Sequence, residues 1–341
     1  MMAAVNPPAP PDLRPLALGE IVDRTATFWR KNLGPLFRLF LGYQLVVYLM
    51  VKGYTLLGRR YFPSFQQGSD FGRGLGEDAL FQQVAAGFGA TVALGLVLGW
   101  SNWVAGVAGT RFAVKRMLGE PASLEDGVRR AFSRLGTTTF AFLASLLWAF
   151  GMLLVCMLPG IGVTVLGAIN GRDGRGVIVF VIFAVLFLVL GMLAGLLWYA
   201  LRFMLTSQVL AMEDVGAWEA LRRAGVLISG KIGEGFMDRV AVRATVLYTA
   251  VIFLLLSINL VSSMPSLIIQ STYGNLFDPA KRNPDAVPQA LLIPAELFQV
   301  AFQAVFAPIL VIFAAVFYVD MRVRREGLDL ELKLGSAPAR D

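Results

Sequence analysis

Side chains able to act as acids, bases, nucleophiles or metal ligands are scarce in the apolar parts of this sequence. The 341 residues include no histidine and one cysteine, Cys156, which lies inside an apolar run. Histidine is the commonest general acid, general base and metal ligand, and it activates many nucleophilic serines and cysteines. Only carboxylates, lysine and tyrosine remain for catalysis, and no acid–base pair converges in the pattern. We therefore predict a protein without enzymatic activity, cofactor or metal.

Two carboxylates near long apolar segments are the first candidates for a site. An acidic residue within a membrane span often marks the path of an ion or a substrate. Glu296 lies near the start of an apolar run, and Asp320 lies near its end, beside Arg322 and Arg324. Amide side chains in such segments can line a polar path or make interhelical hydrogen bonds, and both readings stay open. The predicted polar path consists of Asn102, Asn259, Glu296 and Gln299, with Gln208 and Gln303 as further amides.

Arginines form the second candidate site. Two similar phrases, SLEDGVRRAFSRL at 123–135 and GAWEALRRAGVLI at 216–228, each contain an Arg-Arg-Ala sequence. A weaker copy is LALGEIVDRTATFWRKNLG near the start. Basic residues at a membrane surface attract anionic headgroups, but they also anchor helices by charge alone. The predicted lipid-headgroup or partner-binding residues are Arg24, Arg129, Arg130, Arg222 and Arg223.

The elements that would position these groups are long apolar helices. Hydrophobic residues make up 57% of the sequence and charged residues 16%. Four runs contain no charged residue, at 80–110, 135–171, 176–201 and 244–277. Each run exceeds the roughly 20 residues that a helix needs to cross a bilayer. We predict six membrane spans, at about 35–58, 80–108, 137–158, 177–201, 243–266 and 294–318.

The three phrases precede pairs of predicted spans. Apolar residues recur in them at helical spacing, and Ser123 is a plausible N-cap. Each phrase also has an acid four residues before an arginine, which favours an ion pair along the helix; the pairs are Glu20–Arg24, Glu125–Arg129 and Glu219–Arg223. The pattern predicts an all-α integral membrane protein built from three repeated units, each an amphipathic interfacial helix followed by a transmembrane hairpin.

The domain boundaries follow from these units. Residues 15–333 form one predicted membrane domain, with units at about 15–119, 120–213 and 214–333. The proline-rich residues 1–14 and the segment 334–341 are predicted disordered tails. Within the domain, GRDGRG at 171–176 lacks the lysine and hydroxyl of a phosphate-binding loop and is interpreted as a hairpin turn. Glycines spaced four apart, at 95 and 99 and at 191 and 195, favour close helix packing inside the bundle or in a dimer.

Lysine and arginine placement predicts the orientation. The N-terminal segment, the two loops with the repeated phrases and the C-terminal segment hold 22 of the 30 basic residues. The three opposite loops hold seven, and Lys52 is near the end of the first span. Positive residues favour the cytoplasmic side, so both termini and all three amphipathic helices are predicted to be cytoplasmic. The net charge of +7 fits a membrane surface better than nucleic acid, which we do not expect as a partner.

Three segments resemble the membrane domain of a widespread bacterial family of glycerophosphoryl diester phosphodiesterases and its stand-alone relatives. They are PLALGEIVDRTATFWRKNLGPLF near the start, MEDVGAWEALRRAGVLISG in the middle and YVDMRVRREGLDLEL near the end. The resemblance covers about residues 15–333 and implies a bacterial inner membrane location. In fused members the chemistry belongs to a separate soluble barrel with histidines and an acidic metal cluster. The resemblance therefore transfers neither that activity nor any site residue.

Two functions follow as expectations. The first is a membrane scaffold or accessory protein whose cytoplasmic helices engage anionic lipid or a protein partner encoded nearby. The alternative is a small transporter or lipid-handling protein with a polar path between its helices, because internal repeats are common in transporters. A scaffold predicts a well-packed bundle, whereas a transporter predicts a polar cavity near mid-bilayer bordered by broken helices.

Overall fold

A computed structural model describes residues 14–61, 76–170, 174–274 and 286–335. In these ranges the chain forms one short 3-10 helix, Phe236–Asp238, and no β-strand. The α-helices are α1 Leu18–Lys31, α2 Leu33–Tyr61, α3 Glu77–Met117, α4 Leu124–Ser133, α5 Leu135–Asn170, α6 Gly174–Phe203, α7 Thr206–Met212, α8 Ala217–Ile228, α9 Val240–Gly274, α10 Gln289–Phe306, α11 Pro308–Glu326 and α12 Leu328–Gly335.

Parts of three predicted segments lie outside the described residues. These parts are 1–13 of the first tail, 171–173 of the GRDGRG turn and 336–341 of the last tail. Residues 334 and 335, which the prediction placed in the last tail, are the final residues of α12.

Within the described ranges, six helical segments are long and apolar enough to cross a membrane, which agrees with the predicted number and with the all-α membrane class. They are Leu33–Gly58, Asp78–Met117, Leu135–Gly167, Phe180–Met212, Val240–Gly274 and Gln289–Glu326. Each is longer than its predicted span, because a helix can continue beyond the hydrocarbon once its apolar run ends. The largest difference is in α5, predicted to end at 158, which continues through Pro159 to Asn170. Neighbouring groups in a membrane helix can compensate the hydrogen bond that a proline removes.

The short helices α1, α4 and α8 lie where the three phrases predict helices. Ser123 caps α4 as predicted, because its Oγ accepts a hydrogen bond of 3.0 Å from the Asp126 backbone N–H. The predicted ion pairs along these helices are wrong. Glu20 instead pairs with Arg14 at 2.6 Å, and Arg223 pairs with Glu213 and Glu326. No ion pair joins Glu125 to Arg129 in the described chain. For Glu20 and Arg223, partners from outside the helix replace the local ones.

The buried core lies at one end of the bundle. We call this the collar end: it comprises α1, α4, α8 and the adjoining ends of the long helices. Helix α11 lies at its centre, and α1, α3 and α8 pack against it. Seven residues of α11 are at most 1% exposed: Ile312, Phe313, Ala315, Phe317, Tyr318, Asp320 and Met321. This packing of large side chains makes the collar end the most tightly filled part of the molecule.

The opposite end, which we call the open end, is less packed. There α5 and α6 form a hairpin that packs mainly against itself. A Cβ at position 191 would overlap the Cys156 carbonyl, and a Cβ at position 195 would lie 3.0 Å from Leu153. Glycine therefore lets the two helices approach, as the Gly191 and Gly195 spacing predicted for packing inside the bundle. Gly95 faces nothing within 4 Å, so the first glycine pair does not act the same way.

The last predicted span has a one-residue break at Ala307, although the backbone angles of that residue stay α-helical (φ −52°, ψ −36°). Helix α10 ends at Phe306 and α11 begins at Pro308, with Ala307 between them. Proline has no N–H and clashes with the preceding turn, so it breaks or kinks a helix at this point. The Trp29 Nε1 donates a hydrogen bond of 2.8 Å to the Val305 carbonyl, which supplies a partner beside the break.

Candidate functional site: two adjoining polar cavities

A cavity of about 480 Å³ lies between α2, α9 and α10. We call it the charged cavity, because Lys52 of α2 and Glu296 of α10 meet in it. The Lys52 Nζ lies 2.7 Å from the Glu296 Oε2, and the Tyr48 hydroxyl donates to the same oxygen at 2.9 Å. Towards the open end the cavity is lined by Gly274 and Gln289. The carboxylate is thus held by two donors from one neighbouring helix.

Helical spacing explains how these groups come together. On α2, Gln44, Tyr48, Lys52 and Thr55 recur at three or four residues and line the same cavity. On α10, Glu296, Gln299 and Gln303 do the same. Because α2 and α10 pack against each other, the two polar stripes face one space.

A second cavity of about 620 Å³, which we call the central cavity, lies beside the first. All three long hairpins contribute to it, through α2, α3, α6, α9, α10 and α11. Its described lining contains no charged residue, and its polar members are Tyr43, Gln44, Asn102, Tyr199, Ser207, Gln208, Tyr248, Asn259 and Gln303. A volume of this size is typical of a small-molecule site, which is about 300–1,000 Å³. The central cavity can therefore accept a neutral, hydrogen-bonding group beside tyrosine rings.

The two cavities meet. Gln44 of α2 and Gln303 of α10 line both of them. Polar side chains consequently follow one another from Glu296 through these glutamines to Asn259. The break at Ala307 borders the central cavity directly.

Four of the five amides that line the central cavity have no hydrogen-bond partner in the described chain; the fifth, Gln208, does. Gln44, Asn102, Asn259 and Gln303 make no side-chain hydrogen bond within the described chain. In the charged cavity, the Gln289 Oε1 is buried and also lacks a partner in the described ranges. Asn102 and Asn259 are exposed and Gln44 and Gln303 are half-buried, so these amides can face water or a ligand. The buried Gln289 Oε1 is the one to which the cost of about 1–3 kcal/mol for an unpaired buried polar group applies. These amides therefore have hydrogen-bonding capacity to offer to an occupant.

The central cavity is closed towards the collar end. Gly109 packs so closely that a Cβ there would lie 3.1 Å from Val311 and 3.3 Å from Phe40. Gln208 donates a long hydrogen bond of 3.4 Å to the fully buried Thr110. The polar lining thus ends against a packed floor.

The structure divides the predicted polar path between the two cavities. Asn102 and Asn259 line the central cavity, and Glu296 and Gln299 line the charged cavity. Of the further amides, Gln208 lines the central cavity and Gln303 lines both. Glu296 and the asparagines therefore belong to adjoining spaces rather than to one.

Sequence reasoning missed the α2 contribution. From the sequence, Lys52 is expected to be a basic anchor near the end of a span. In the structure, Lys52 pairs with Glu296 inside the charged cavity. Tyr48 and Gln44 were not identified. Their spacing with Lys52 on one helical face was the available signal. A basic residue in an apolar run can anchor the helix at the membrane surface or pair with an acid inside the bundle. Only the tertiary structure shows which of these occurs.

The predicted headgroup arginines have different surroundings. Arg130 bonds to Asp214 at 2.7 Å, and Arg223 pairs with Glu213 and Glu326, so both fasten the collar end. Arg129 and Arg222 are exposed, and Arg24 is half-buried. None of these last three arginines makes an ion pair with a described residue. A shared headgroup role for Arg130 and Arg223 would require them to leave their acids.

Asp214 and Asp126 respond to the cations around them. Hydrogen bonds from Arg130 and Arg134 hold the pKa of Asp214 below its usual value. The Asp126 carboxylate is bound by Lys115 at 2.6 Å, and this contact lowers the pKa of Asp126. Both acids are therefore ionised at neutral pH and join neighbouring segments of the collar end.

Asp320, the second candidate acid, has a structural environment. It is 1% exposed, accepts a hydrogen bond of 2.8 Å from the Leu16 backbone and pairs with Arg324 at 3.0 Å. The Leu16 carbonyl accepts from Arg324 and from Arg243. The cluster joins the start of α1 to α9 and α11. Arg322, the other predicted partner, pairs with Glu326 instead.

Among the described residues, no group of three or more histidine, cysteine, aspartate or glutamate side chains could hold a metal ion. Comparison of the chain with protein-family models, curated proteins and solved structures found no match. The resemblance to the phosphodiesterase membrane domains stays a prediction.

Proposed function

We propose that this chain is a small membrane transporter or lipid-handling protein that takes a polar or amphipathic molecule between its helices. The observation that supports this most is a set of four amides around the central cavity that make no side-chain hydrogen bond within the described residues: Gln44, Asn102, Asn259 and Gln303. Through Gln44 and Gln303 this set continues to the Lys52–Glu296 pair. Unsatisfied amides inside a membrane protein favour a wet or ligand-filled space. A scaffold alone has no need of such a space.

The lining indicates the chemical class of the occupant. Amide and phenol groups line the central cavity, with no charged residue among its described members, so they favour an uncharged hydrogen-bonding group. The Lys52–Glu296 pair would meet a molecule arriving from the open end. An ion pair between two helices beside a cavity can also open and reform as a molecule passes. Pro308 has no N–H to donate, so one backbone hydrogen bond of the helix is missing beside the central cavity.

We place the protein in the bacterial inner membrane, with the collar end and both termini in the cytoplasm. The distribution of lysine and arginine supports this orientation. The charged cavity would then face the periplasmic side. Three repeats of an amphipathic helix and a hairpin form part of the proposal, supported by α1, α4 and α8, each of which precedes two long helical segments. Membership of the phosphodiesterase membrane-domain family, without enzymatic activity, rests on the resemblance described above.

Cysteine labelling tests the wet path. In a Cys156→Ser background, Asn259→Cys and Gln299→Cys are exposed in intact cells to a membrane-impermeant maleimide. We expect both to react from the periplasmic side, because thiols need water to ionise and react. Ala315→Cys, in the fully buried core, and Leu193→Cys, on the exposed hairpin surface, are the controls that should stay unlabelled. Absence of labelling at both cavity positions would refute the proposal.

A scaffold that engages anionic lipid or a protein partner is the second candidate. The exposed side chains of Arg129 and Arg222, free of ion pairs within the described chain, favour it. In nanodiscs, anionic lipid should raise the unfolding midpoint relative to neutral lipid. Arg24→Gln combined with Arg129→Gln should remove part of that difference. An unchanged difference would remove these two arginines from lipid engagement.

A further inference from the structure

A cleft separate from the polar path lies on the side of the bundle, between α5, α6 and α8. It has a volume of about 300 Å³. Three tryptophans and two arginines line it together with two apolar side chains: Trp148, Trp198, Arg202, Phe203, Trp218, Leu221 and Arg222. We call it the tryptophan–arginine cleft. Its residues come from three helices and from positions between 148 and 222, so it exists only in the folded chain.

The two arginines of the cleft lack the acids that hold their neighbours. Arg130, Arg223 and Arg324 all form ion pairs at the collar end. Arg202 and Arg222 form none in the part of the chain that the structure describes, and no acid is among the described lining residues. Two uncompensated positive charges therefore face the same cleft.

Packing fixes one of these charges in place. The Arg202 guanidinium lies against Gly225 of α8, where a Cβ would overlap it. Trp148 and Trp218 are 54% and 59% exposed, so the apolar walls of the cleft remain accessible. The cleft thus combines a positioned guanidinium with open aromatic surfaces.

The depth of the cleft places it at the headgroup level. No charged residue occurs from 176 to 201, and Arg202 is the first to follow. That run would extend about 39 Å as a helix, which exceeds the roughly 30 Å of hydrocarbon. Gly195 packs against Leu153, and this antiparallel register brings Arg202 within about one turn of the level of Trp148. Tryptophans prefer this interface.

We infer that the tryptophan–arginine cleft binds the phosphate of an anionic phospholipid from the leaflet at the collar end. Guanidinium groups bind phosphate oxygens through paired N–H donors, and two of them favour a headgroup with net negative charge. The tryptophans would cover the glycerol and the first methylenes of the acyl chains. This inference goes beyond the proposed transport function, because the cleft needs neither the central cavity nor the Lys52–Glu296 pair.

The cleft nevertheless adjoins the polar path. Phe203 lines both the cleft and the central cavity, and it is 8% exposed. Its ring lies 6.1 Å from that of Trp198 and 5.3 Å from that of Tyr199. Phe203 therefore forms a wall between a headgroup in the cleft and the amides of the central cavity.

Native mass spectrometry of the purified full chain tests the inference. Phosphatidylglycerol, phosphatidylcholine and inorganic phosphate are titrated separately. We expect phosphatidylglycerol to bind at least roughly tenfold more tightly than phosphatidylcholine, since one charge-assisted contact corresponds to about that factor. Arg202→Gln and Arg222→Gln should each lower phosphatidylglycerol affinity roughly tenfold. Arg116→Gln, an exposed arginine at the same end, is the matched control and should change nothing.

Several outcomes would overturn the inference: unchanged phosphatidylglycerol affinity in both cleft variants, equal binding of the two lipids, or displacement of the lipid by inorganic phosphate at comparable concentration. The last result would assign a free phosphate site instead. If an arginine variant fails to fold, Trp218→Leu provides the test, because it keeps both charges. It should weaken lipid binding several-fold, and full affinity in that variant would contradict the role of the aromatic walls. Labelling in the central cavity is measured independently, so failure of one proposal leaves the other intact.

Discussion

The collar end and the open end contain similar polar side chains, but these side chains have different hydrogen-bond and ion-pair partners at the two ends. At the collar end, Asp320 is bonded to Arg324 and to the Leu16 backbone, and its side chain is fully buried. At the open end, the Lys52–Glu296 pair borders a cavity, and its side chains are 18% and 21% exposed. The first arrangement joins chain segments across the fold. The second leaves a cavity beside the charges. The two ends therefore differ in packing, and among the described residues only the open end has space for another molecule beside its ion pair.

The largest expected effect is at the collar end. Asp320→Asn removes the charge that compensates Arg324 and lies near Arg243. Removing one partner of a buried pair leaves an uncompensated charge, so the free energy of unfolding in detergent should fall by about 3 kcal/mol. Thermal unfolding measures this loss, and Glu120→Gln, an exposed acid nearby, is the control. Equal midpoints for Asp320→Asn and wild type would contradict a fastening role for Asp320.

The α5–α6 hairpin should show the next largest effect. Gly191→Val places a Cβ against the Cys156 carbonyl, and overpacking of this kind costs about 1–3 kcal/mol. Gly95→Val is the matched control, because a Cβ at position 95 would have no atom within 4 Å. The comparison uses thermal unfolding of both variants. If both variants lost similar stability, Gly191 would not be needed for the close approach of α5 and α6.

The Lys52–Glu296 pair should contribute less to stability than the Asp320 cluster. Glu296→Gln should lower the free energy of unfolding by about 1 kcal/mol, because the pair is partly exposed and solvent screens it. The double variant Lys52→Met with Glu296→Gln should recover much of that loss, since no unpaired charge remains. A double-mutant cycle measures the coupling. If Glu296→Gln lowered the free energy of unfolding as much as Asp320→Asn, the ion pairs of the two ends would contribute equally to stability, contrary to this comparison.

The smallest expected effect is a pH dependence at the collar end. The pKa of Asp214 is lowered in the folded chain by Arg130 and Arg134. A lowered pKa contributes stability above the unfolded value of 3.8, and this contribution is lost as pH falls through the folded pKa. Asp214→Asn should therefore lower the unfolding midpoint at neutral pH, with the difference from wild type shrinking as the pH falls below 3.8. A difference that is constant with pH would contradict this assignment.

Much of the fold was predictable because it follows from local pattern. Uncharged runs predict six membrane-crossing helices, and Ser123 predicts the start of α4, since both depend on residues close in sequence. Helix ends were less predictable, as α5 shows by continuing through Pro159. The ion pairs were wrong for a related reason. Glu20 and Arg223 each had a partner one turn away in sequence, but partners from outside the helix displaced it.

The candidate site was predictable in part. Asn102, Asn259, Glu296 and Gln299 were identified because polar residues in apolar runs are few. Their division between two cavities could not be predicted, because it depends on which helices face each other. The spacing of Lys52 and Tyr48 on α2 could be interpreted only once α10 was known to lie opposite them. The tryptophan–arginine cleft had no signal along the chain, because its residues come from three helices.

The sequence by itself determined that the chain forms long apolar helices, with short basic helices between them. This follows because backbone groups in lipid must be hydrogen-bonded within the segment, and a helix achieves this for every such run. Only the tertiary structure decided which charges are fastened, as Arg130 and Arg223 are, and which have no ion-pair partner among the described residues, as is true of Arg202 and Arg222. Helix packing sets the distance between groups that are far apart in sequence, and ion pairing falls off steeply with that distance.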